Sequence, residues 1–414
     1  MTLFSTAELI STGDELLSGR SLNRHAQVLG ERLGRIGIRL TRDTTIGDDR
    51  ENIATTLRQA LERTSLVIVS GGLGPTNDDV TRDAVAEVVG SRVVMDAYAL
   101  RLLRDTFAKR GRPVTPARER QALIVEGATV LPNTPGIAPG ELLAYDGKTI
   151  IMLPGPPVEF TAILDEHVMP WLGERTANRA ALRERVLLTS GIAESDIVTH
   201  FQEAGFPPAG IHTAYCAGSG RVEIRLHPLG DTEDAALDHA SDTVAALLGD
   251  YVYARERVTM ETLIGQWLTS HAMSLATAES CTGGMIGARL TDVPGSSAYF
   301  KGGIVAYSND IKARSLSVPT ELLEKEGAVS APVAEAMAVG TQKLFQADWA
   351  VSVTGIAGPG GGTEDKPVGL VYIAVAGPGS VGVEKFQFPG TREVVRECTV
   401  RAALDMLRKA FLKT

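Results

Sequence analysis

Short apolar runs alternate with amphipathic helical patterns along the first part of the chain. Residues 66–70 form a continuous apolar run, which is typical of a strand buried on both faces of a parallel sheet, and residues 7–11 predict a second buried strand. Residues 23–33, 51–62 and 80–89 repeat their apolar side chains at helical spacing. This alternation of strands and helices indicates an α/β fold.

The same alternation continues after this region. A helical pattern over residues 98–108 precedes a predicted strand at 149–153. The adjacent Pro156 and Pro157 end that strand, because proline has no N–H group to donate to a sheet. We therefore predict that the chain begins with a doubly wound α/β domain over residues 1–172.

The pattern changes from about Ala181. An alternating strand, GRVEIRLHPLG, lies between helical patterns at 195–203 and 234–248, which predicts a small α+β domain over residues 173–257. A GxxG clamp would indicate binding of single-stranded nucleic acid, but neither AGSG nor GFPPAG in this domain supplies one. We predict that the domain is a spacer or an oligomerisation module.

Alternation of helices and strands returns from about Thr259. The helical pattern METLIGQWLTSHA precedes a short strand in MSLATAES, and further strands and helices follow to the end of the sequence. We predict a third domain, also α/β, over residues 258–414.

Charge and cysteine content exclude several classes of function. The 50 acidic residues outnumber the 41 basic residues and give a net charge of −9, which disfavours binding to nucleic acid or to an anionic membrane. Cys216, Cys281 and Cys398 are too few and too widely spaced for a disulfide framework or a CxxC metal site. No apolar run approaches the roughly 18 residues of a membrane span. We expect a cytoplasmic enzyme with no membrane partner.

The segment ATAESCTGGMIG carries the first candidate nucleophile. It places Ser280 and Cys281 at the end of a predicted strand, before a helix whose first turn is expected to contain Gly283 and Gly284. A nucleophile there benefits from the positive end of the helix and from free backbone N–H groups that can stabilise an oxyanion. The alternative is that Ser280 or Thr282 only caps the helix.

A base from the third domain that activates this serine has to be a residue other than histidine. None of the seven histidines lies beyond His271, so the third domain alone cannot form a Ser/His/Asp site. Tyr307 and Lys312 are the candidates, since a desolvated lysine can accept a proton from a serine hydroxyl. The alternatives are a half-buried aromatic side chain for Tyr307 and a solvated helix charge for Lys312. Lys301 is a rival base without a polar neighbour in the sequence.

A glycine-rich loop and an arginine complete the chemistry of the third domain. TGIAGPGGG follows the apolar run WAVSV, so that Thr354 and Gly355 lie at the end of a predicted strand, where open α/β sheets bind ligands. The loop has no Walker lysine, and its alternative role is that of a connector. Arg392, before the last helix, offers a guanidinium group for a phosphate.

These motifs together resemble those of one family. AESCTGG, YFKGGIVAYSNDIK, GAVS, TGIAGPGGG and KPVG occur in the order found in the CinA C-terminal domain, which is similar to the PncC nicotinamide mononucleotide deamidases. The resemblance implies metal-free hydrolysis of nicotinamide mononucleotide to nicotinic acid mononucleotide and ammonia through an acyl-enzyme. Its implied catalytic residues are Ser280, Tyr307 and Lys312. Its implied substrate-binding residues are Thr282, Gly283, Gly284, Thr354, Gly355 and Arg392.

The first domain also carries a glycine turn with acidic residues. In SGGLGPTNDDVTRD, Gly71, Gly72 and Gly74 precede a predicted helix, and Asp78 and Asp79 lie at its start. Backbone N–H groups there suit a phosphate, and paired carboxylates suit a divalent cation that bridges phosphate oxygens. The alternative is that the aspartates only complement the helix dipole.

Asp14 follows the first strand and is expected to reach the same edge of the sheet, although it too has an alternative role in capping its loop. Together with LPGPPVEF, these segments resemble the molybdopterin-binding MoaB/MogA-like domain found at the front of CinA proteins. The resemblance implies an ADP-ribose pyrophosphatase that yields AMP and ribose 5-phosphate. It would use a divalent metal ion (Mg²⁺, Mn²⁺ or Co²⁺), with potassium as a further candidate.

The resemblance implies metal binding by Asp14, Asp78 and Asp79, substrate binding by the three glycines, and a lesser role for Glu159. It also implies a homodimer whose partners are small nucleotides. Two alternatives stay open, since a fold does not choose its ligand. One is a protein that binds a pterin nucleotide, and the other is a non-catalytic adaptor in competence or recombination.

Overall fold

The computed structural model describes residues 3–176, 183–218, 220–230 and 232–413. The chain divides into two compact units, Met1–Leu182 and Arg183–Thr414. The predicted change of pattern at Ala181, and Ser219 within AGSG, lie outside the described residues. No helix in the described ranges is long and apolar enough to cross a membrane.

The first unit alternates strands with helices, as its sequence pattern predicts. Its strands are β1 (Thr6–Thr12), β2 (Arg39–Ile46), β3 (Leu66–Ser70), β4 (Val93–Met95), β5 (Leu123–Val125), β6 (Thr129–Leu131), β7 (Gly140–Tyr145) and β8 (Lys148–Leu153). Its α-helices are α1 (Asp14–Leu17), α2 (His25–Arg35), α3 (Arg50–Arg63), α4 (Thr81–Val89), α5 (Ala97–Lys109), α6 (Pro116–Glu119), α7 (Pro157–Ile163) and α8 (Met169–Gly173). A 3₁₀ turn covers Arg120–Ala122, and a π turn covers Leu164–Val168.

The main sheet of the first unit has the order β2-β1-β3-β8-β7-β6. The strands β2, β1, β3 and β8 are parallel, and β7 and β6 continue the sheet in antiparallel pairing. Buried aliphatic residues form separate clusters that include opposite faces of β3, with Val67 and Val69 in one cluster and Leu66 and Ile68 in the other. The strand order reverses between β1 and β3, which is where ligands bind in doubly wound sheets.

The second unit begins with a small antiparallel sheet. Its strands are β9 (Arg185–Ser190), β10 (Ile211–Gly218), β11 (Arg221–Pro228) and β12 (Val252–Ala254), in the order β10-β11-β9-β12. Two helices, α9 (Glu194–Glu203) and α10 (Asp234–Leu248), contribute apolar residues to the same buried cluster as this sheet. This is the α+β arrangement that the sequence predicts.

The rest of the second unit contains a five-stranded sheet. The strands are β13 (Leu275–Glu279), β14 (Phe300–Val305), β15 (Trp349–Gly355), β16 (Leu370–Gly377) and β17 (Ser380–Gln387), in the order β14-β13-β15-β16-β17. The helices are α11 (Met260–Ser270), α12 (Met285–Thr291), α13 (Asn309–Leu316), α14 (Thr320–Glu326), α15 (Ala331–Phe345) and α16 (Arg392–Phe411). Short 3₁₀ turns cover Gly249–Tyr251 and Ser296–Ala298.

The predicted α/β fold class is confirmed, but the structure corrects two details. The helix after Ser280 begins at Met285, because Gly283 and Gly284 have φ values of 61° and 96°. A right-handed helix requires a negative φ, so these glycines form a turn before the helix and do not belong to its first turn. The strict alternation expected for this domain also ends with an antiparallel hairpin, β16–β17.

One buried ion pair links the glycine loop of the first unit to its sheet. The Arg82 Nε donates to Glu141 Oε1 at 2.6 Å, and Arg82 Nη1 donates to the Leu73 carbonyl at 2.8 Å. Glu141 is fully buried, and its other oxygen accepts from the Val125 N–H at 2.9 Å. Burial raises the pKa of Glu141, and the charge of Arg82 opposes that rise. The charged pair therefore depends on both partners being present.

We predict that Arg82→Met destabilises the first unit by roughly 3–5 kcal/mol, because it leaves the Glu141 carboxylate buried without a counter-ion. Hydrogen exchange of amides in β3 and β8 measures this as a lower opening free energy. The control is Arg92→Met, which removes an exposed ion pair with Glu126 and should cost less than about 1 kcal/mol. Equal losses in the two variants would contradict the prediction.

Candidate functional site

Three parallel strands bring the main candidate residues of the second unit to one edge of the sheet. Glu279 at the end of β13 is paired in register with Val305 on β14 and with Val353 on β15. Ser280 follows the first of these strands and Tyr307 follows the second. The parallel direction of the strands therefore places segments far apart in the sequence beside one another.

Lys312 lies beside Ser280, as the hypothesis of a lysine base requires. Its Nζ is 3.2 Å from Ser280 Oγ, 2.8 Å from the Ala306 carbonyl and 3.2 Å from the Tyr307 carbonyl. The side chain of Lys312 is 1 % exposed, which contradicts the alternative of a solvated helix charge. Ser308 caps the helix α13 through the N–H of Ile311, and this helix carries Lys312 beneath the end of β14.

The environment of Lys312 favours the neutral amine. Burial lowers its pKa, and no carboxylate of a described residue lies within 4 Å of its Nζ. Carbonyl oxygens can only accept hydrogen bonds, so the two N–H groups of a neutral Lys312 amine donate to the Ala306 and Tyr307 carbonyls. The lone pair is then left for the hydroxyl of Ser280.

Of the two adjacent candidate nucleophiles, the structure favours Ser280 over Cys281. Burial raises the pKa of the Cys281 thiol to about 11, so the thiol stays protonated at neutral pH. The thiolate, and not the thiol, is the nucleophilic form of cysteine. Cys281 also belongs to the hydrophobic core of this domain.

Glu279 shapes the turn after Ser280, and sequence reasoning missed it. Its buried carboxylate accepts hydrogen bonds from the N–H groups of Gly284, Ile286 and Gly287 at 2.8–3.0 Å. These three N–H groups are therefore already hydrogen-bonded and are not free to stabilise an oxyanion. The signal available in the sequence was an acidic residue at the end of an otherwise apolar strand.

Arginines of α16 approach the same turn. Arg396 Nη2 donates to the Thr282 carbonyl at 2.8 Å, while Arg396 Nε and Thr282 Oγ1 are buried with no hydrogen-bond partner among the described residues. Sequence reasoning missed Arg396, although its spacing of four residues from Arg392 places both on one face of the helix. Unsatisfied buried donors beside Ser280 are available to a bound substrate.

Arg392 and Tyr307 form a second contact at this edge. Arg392 Nη1 donates to the Gly358 carbonyl of the glycine-rich loop at 2.9 Å, and Arg392 Nη2 lies 3.4 Å from the Tyr307 hydroxyl. Tyr307 is 61 % exposed. The structure brings its backbone carbonyl to Lys312, whereas its hydroxyl contacts Arg392 and makes no hydrogen bond to Ser280 or Lys312 in the described part of the chain.

The remaining candidates of this domain hold loops or face away. Thr354 is fully buried and donates to the Ala328 carbonyl at 2.7 Å, so it joins the end of β15 to the segment before α15. Gly355 ends β15 opposite Val371. Lys301, the rival base, is exposed and donates to the Gln346 carbonyl instead of approaching Ser280.

The first unit has its own cleft at the point where the strand order reverses. A cavity of about 320 Å³ is lined by the loop after β1, by Gly71, Gly72 and Gly74, and by Pro154–Pro156. Gly71 has φ 105°, and a Cβ there would collide with the Thr12 carbonyl oxygen. This position requires glycine, because only glycine allows β1 and the loop after β3 to approach so closely.

Carboxylates surround this cleft, but not in the arrangement that the sequence suggests. Asp78 lines it and is exposed, whereas Asp79 accepts from the N–H groups of Gly74 and Thr76 and therefore holds the loop. Asp14 exchanges hydrogen bonds with Asp48, each accepting from the backbone N–H of the other. Asp78 and Asp79 both precede the helix α4, which begins at Thr81.

Asp48 and Glu15 line the cleft and were missed by sequence reasoning. Burial raises the pKa of Asp48, and the charges of Asp14, Glu15 and Asp78 raise it further. The sequence signal was the position of Asp48 just after β2, at the edge of the sheet where Asp14 was already expected. Glu159 also lines the cleft and accepts from Asn133 Nδ2 at 2.6 Å.

Within the described residues, no group of three or more His, Cys, Asp or Glu side chains is arranged to hold a metal ion. The residues that line the cleft also include no Lys, Arg or His. An anionic ligand in this cleft would therefore face carboxylates without any cationic side chain among the lining residues.

Family models match both units of the chain. Residues 8–174 match the family described as "Probable molybdopterin binding domain", and residues 257–411 match the CinA C-terminal domain. A crystallised competence/damage inducible protein from Agrobacterium tumefaciens is also similar. The match covers 36 % of this chain and 92 % of that protein, with 44 % sequence identity and a TM-score of 0.36.

Whole-length relatives extend the match across the middle of the chain. A relative from Desulforudis audaxviator, which is named a competence-damage inducible protein, is 42 % identical over 98 % of this chain and 98 % of its own length. A CinA-like protein from Geotalea uraniireducens is 38 % identical over 97 % of each chain. The chain therefore belongs to the CinA family, with a MoaB/MogA-like domain ahead of a CinA C-terminal domain.

Proposed function

We propose that the CinA C-terminal domain is an amidohydrolase that converts nicotinamide mononucleotide to nicotinic acid mononucleotide and ammonia. The observation that carries this proposal is the buried Lys312 amine, 3.2 Å from the Ser280 hydroxyl and without a carboxylate partner in the described residues. A serine activated by a neutral lysine attacks carbonyl carbons and needs no metal ion or histidine.

The reaction follows from the positions of these two side chains. Lys312 takes the proton from Ser280 Oγ as the oxygen attacks the carboxamide carbon, and a tetrahedral intermediate forms. The intermediate collapses when the C–N bond breaks, and Lys312 returns the proton to the leaving nitrogen, which departs as ammonia. Water then attacks the acyl-enzyme, gives a proton to Lys312 and releases the carboxylic acid as Ser280 regains its proton.

Several neighbours support the binding of a negatively charged nucleotide. Arg392 bridges the glycine-rich loop and Tyr307, so its guanidinium is held near the mouth of the site and is available to a phosphate. The N–H groups of Cys281 and Thr282 follow Ser280 in the turn and donate to no backbone carbonyl in the described residues. In this proposal they are the donors for the oxyanion.

We also propose a second activity, metal-dependent hydrolysis of the pyrophosphate of ADP-ribose, for the cleft of the first unit. The carboxylates of Glu15, Asp48 and Asp78 are hard oxygen ligands. Burial is the main cause that raises the pKa of Asp48, and the charges of Asp14, Glu15 and Asp78 add to it; a cation would oppose that added charge repulsion. Mg²⁺ often binds one or two carboxylates together with substrate phosphates, so it does not need a group of three protein ligands such as the described residues lack. Such an ion would neutralise the charge of the pyrophosphate.

We predict that Ser280→Ala lowers ammonia release from nicotinamide mononucleotide by at least about a thousandfold, since it removes the nucleophile. Ammonia is measured with the full-length protein and a chelator present. The matched control is Ser352→Ala, which removes a buried hydroxyl of the same sheet that donates only to the Ala334 carbonyl. No ammonia release by the unmutated chain, or release that survives in Ser280→Ala, would refute the amidohydrolase.

We predict that kcat/KM for ammonia release rises with pH and reaches a plateau. The neutral form of Lys312 is the base, and burial lowers its pKa, so the midpoint of the rise falls below the ordinary lysine value of about 10.4. Lys312→Arg keeps the positive charge but cannot lose a proton, and it should be inactive at every pH tested. An active Lys312→Arg, or a rate that falls as pH rises from 7 to 9, would exclude this role.

We predict that Asp78→Asn lowers AMP formation from ADP-ribose by about tenfold to a hundredfold and shifts the Mg²⁺ dependence to higher concentrations. Asp83→Asn is the control, because Asp83 is exposed on α4 and does not line the cleft. Ammonia release should be the same in both variants. ADP-ribose cleavage that a chelator does not affect would contradict the proposal, and tight pterin binding without any cleavage would favour a pterin-binding protein.

The competence-related names of the relatives keep one non-catalytic alternative open, that of an adaptor that acts on DNA. The net charge of −9 argues against direct DNA binding. A salt-dependent mobility shift of DNA, together with the absence of both hydrolytic activities, would support that alternative.

A further inference from the structure

The second unit contains a polar cavity that shares no lining residue with the Ser280 site. It has a volume of about 240 Å³ and lies where the small antiparallel sheet meets the helices α11 and α16. Its lining includes three arginines, Arg221, Arg289 and Arg401, and two glutamates, Glu261 and Glu397. Neither the amidohydrolase nor the pyrophosphatase uses any of these residues.

Arg401 forms no ion pair with any described residue of this cavity. Its Nε is buried and has no hydrogen-bond partner among the described residues, and none of their carboxylates lies within 4 Å of its guanidinium. Burial lowers its pKa, and the charge of Arg221 lowers it further, while the charges of Glu261 and Glu397 oppose the shift. A half-buried guanidinium that shares a cavity with a second positive charge is stabilised when an anion binds both.

The other charged residues leave these two arginines available. Arg289 is paired with Glu397 at 3.0 Å. Glu261 forms no ion pair among the described residues, and it sits in the first turn of α11, whose N-terminus is positive. Tyr253 also lines the cavity and is half-buried. Burial raises the pKa of its hydroxyl, and the charge and hydrogen bonding of Arg221 oppose that rise.

A wider groove opens from the same two arginines. It has a volume of about 750 Å³ and shares Ser190, Gly220, Arg221 and Arg401 with the polar cavity. Its other side is aromatic, because Phe386 and Phe388 stack on each other there with ring centroids 5.4 Å apart. The following lining residues add apolar surface: Ile192, Ala193, Val222, Ala402 and Met406.

The combination indicates a ligand with two chemically different ends. Two arginines that form no ion pair among the described residues suit a phosphate dianion, which bidentate contacts recognise. The adjacent groove is large enough for a sugar and a planar base, and aromatic side chains suit such a base. Glu194 and Glu384 in the groove can accept hydrogen bonds from amino groups of the base or from ribose hydroxyls.

We propose that the second unit contains an additional nucleotide site, in which Arg221 and Arg401 bind the phosphate of a nucleoside monophosphate and the base lies beside Phe386 and Phe388. The site is independent of the two proposed activities, because it is defined by binding alone. Since α16 carries Arg401 near one end of this site and Arg392 near Ser280, the nucleotide would bind to the helix that also borders the amidohydrolase site.

The test is calorimetric titration of the full-length protein with AMP, in the presence of a chelator so that metal-dependent binding elsewhere is suppressed. We expect saturable binding that weakens at least about tenfold in Arg401→Gln and in Arg221→Gln. Phe388→Ala should weaken the binding of AMP while leaving the binding of ribose 5-phosphate unchanged. Arg314→Gln is the control, because Arg314 is exposed, pairs with Asp310 and does not line either cavity.

Arg401→Lys covers the case in which Arg401→Gln does not fold, since it keeps the charge and loses the planar fork. Its AMP affinity should lie between those of the unmutated chain and Arg221→Gln. The melting temperature without nucleotide shows whether these arginines bind a ligand or stabilise the fold. If they bind a ligand, Arg401→Lys and Arg221→Gln should melt no lower than the control. Absence of AMP binding, affinities within twofold in both arginine variants, or a lower melting temperature with unchanged affinity would each overturn the proposal.

Discussion

The central constraint in this protein is a lysine amine that is buried with no counter-ion among the residues that the structure describes. A charged ammonium is costly in such a place, so the surroundings of Lys312 shift its equilibrium toward the neutral form. The same surroundings fix its position, since two backbone carbonyls hold the amine against Ser280. In this environment the Ser280 hydroxyl can act as the nucleophile and the Lys312 amine as its base, and no histidine is needed.

The fold supplies this geometry through the ends of parallel strands. Ser280 follows β13, the carbonyls that hold Lys312 follow β14, and the glycine-rich loop follows β15. Glu279 then satisfies three N–H groups at the start of α12, which fixes the turn that presents Ser280. The first unit uses the same principle, because its glycine loop and its carboxylates converge where the order of the parallel strands reverses.

Much of this arrangement could be predicted from the sequence, because strand ends, glycine turns and apolar periodicity are local signals. The positions of β3 and α10 follow directly from such patterns. The partners of a side chain are set by tertiary contacts and are not local, which is why Glu279, Arg396 and Asp48 were missed. The helix start at Met285 was misplaced for a related reason, since the sequence does not show that two glycines adopt a positive φ.

The most direct test of the central claim is the titration of Lys312 itself. Selective ¹³C labelling at lysine Cε in the full-length protein gives ten signals, and comparison with Lys312→Arg assigns the one that disappears. If Lys312 is the base, this signal titrates at clearly lower pH than the other nine. Titration together with the other lysines, near their ordinary value of about 10.4, would show that Lys312 is protonated at neutral pH and would contradict its role as the base.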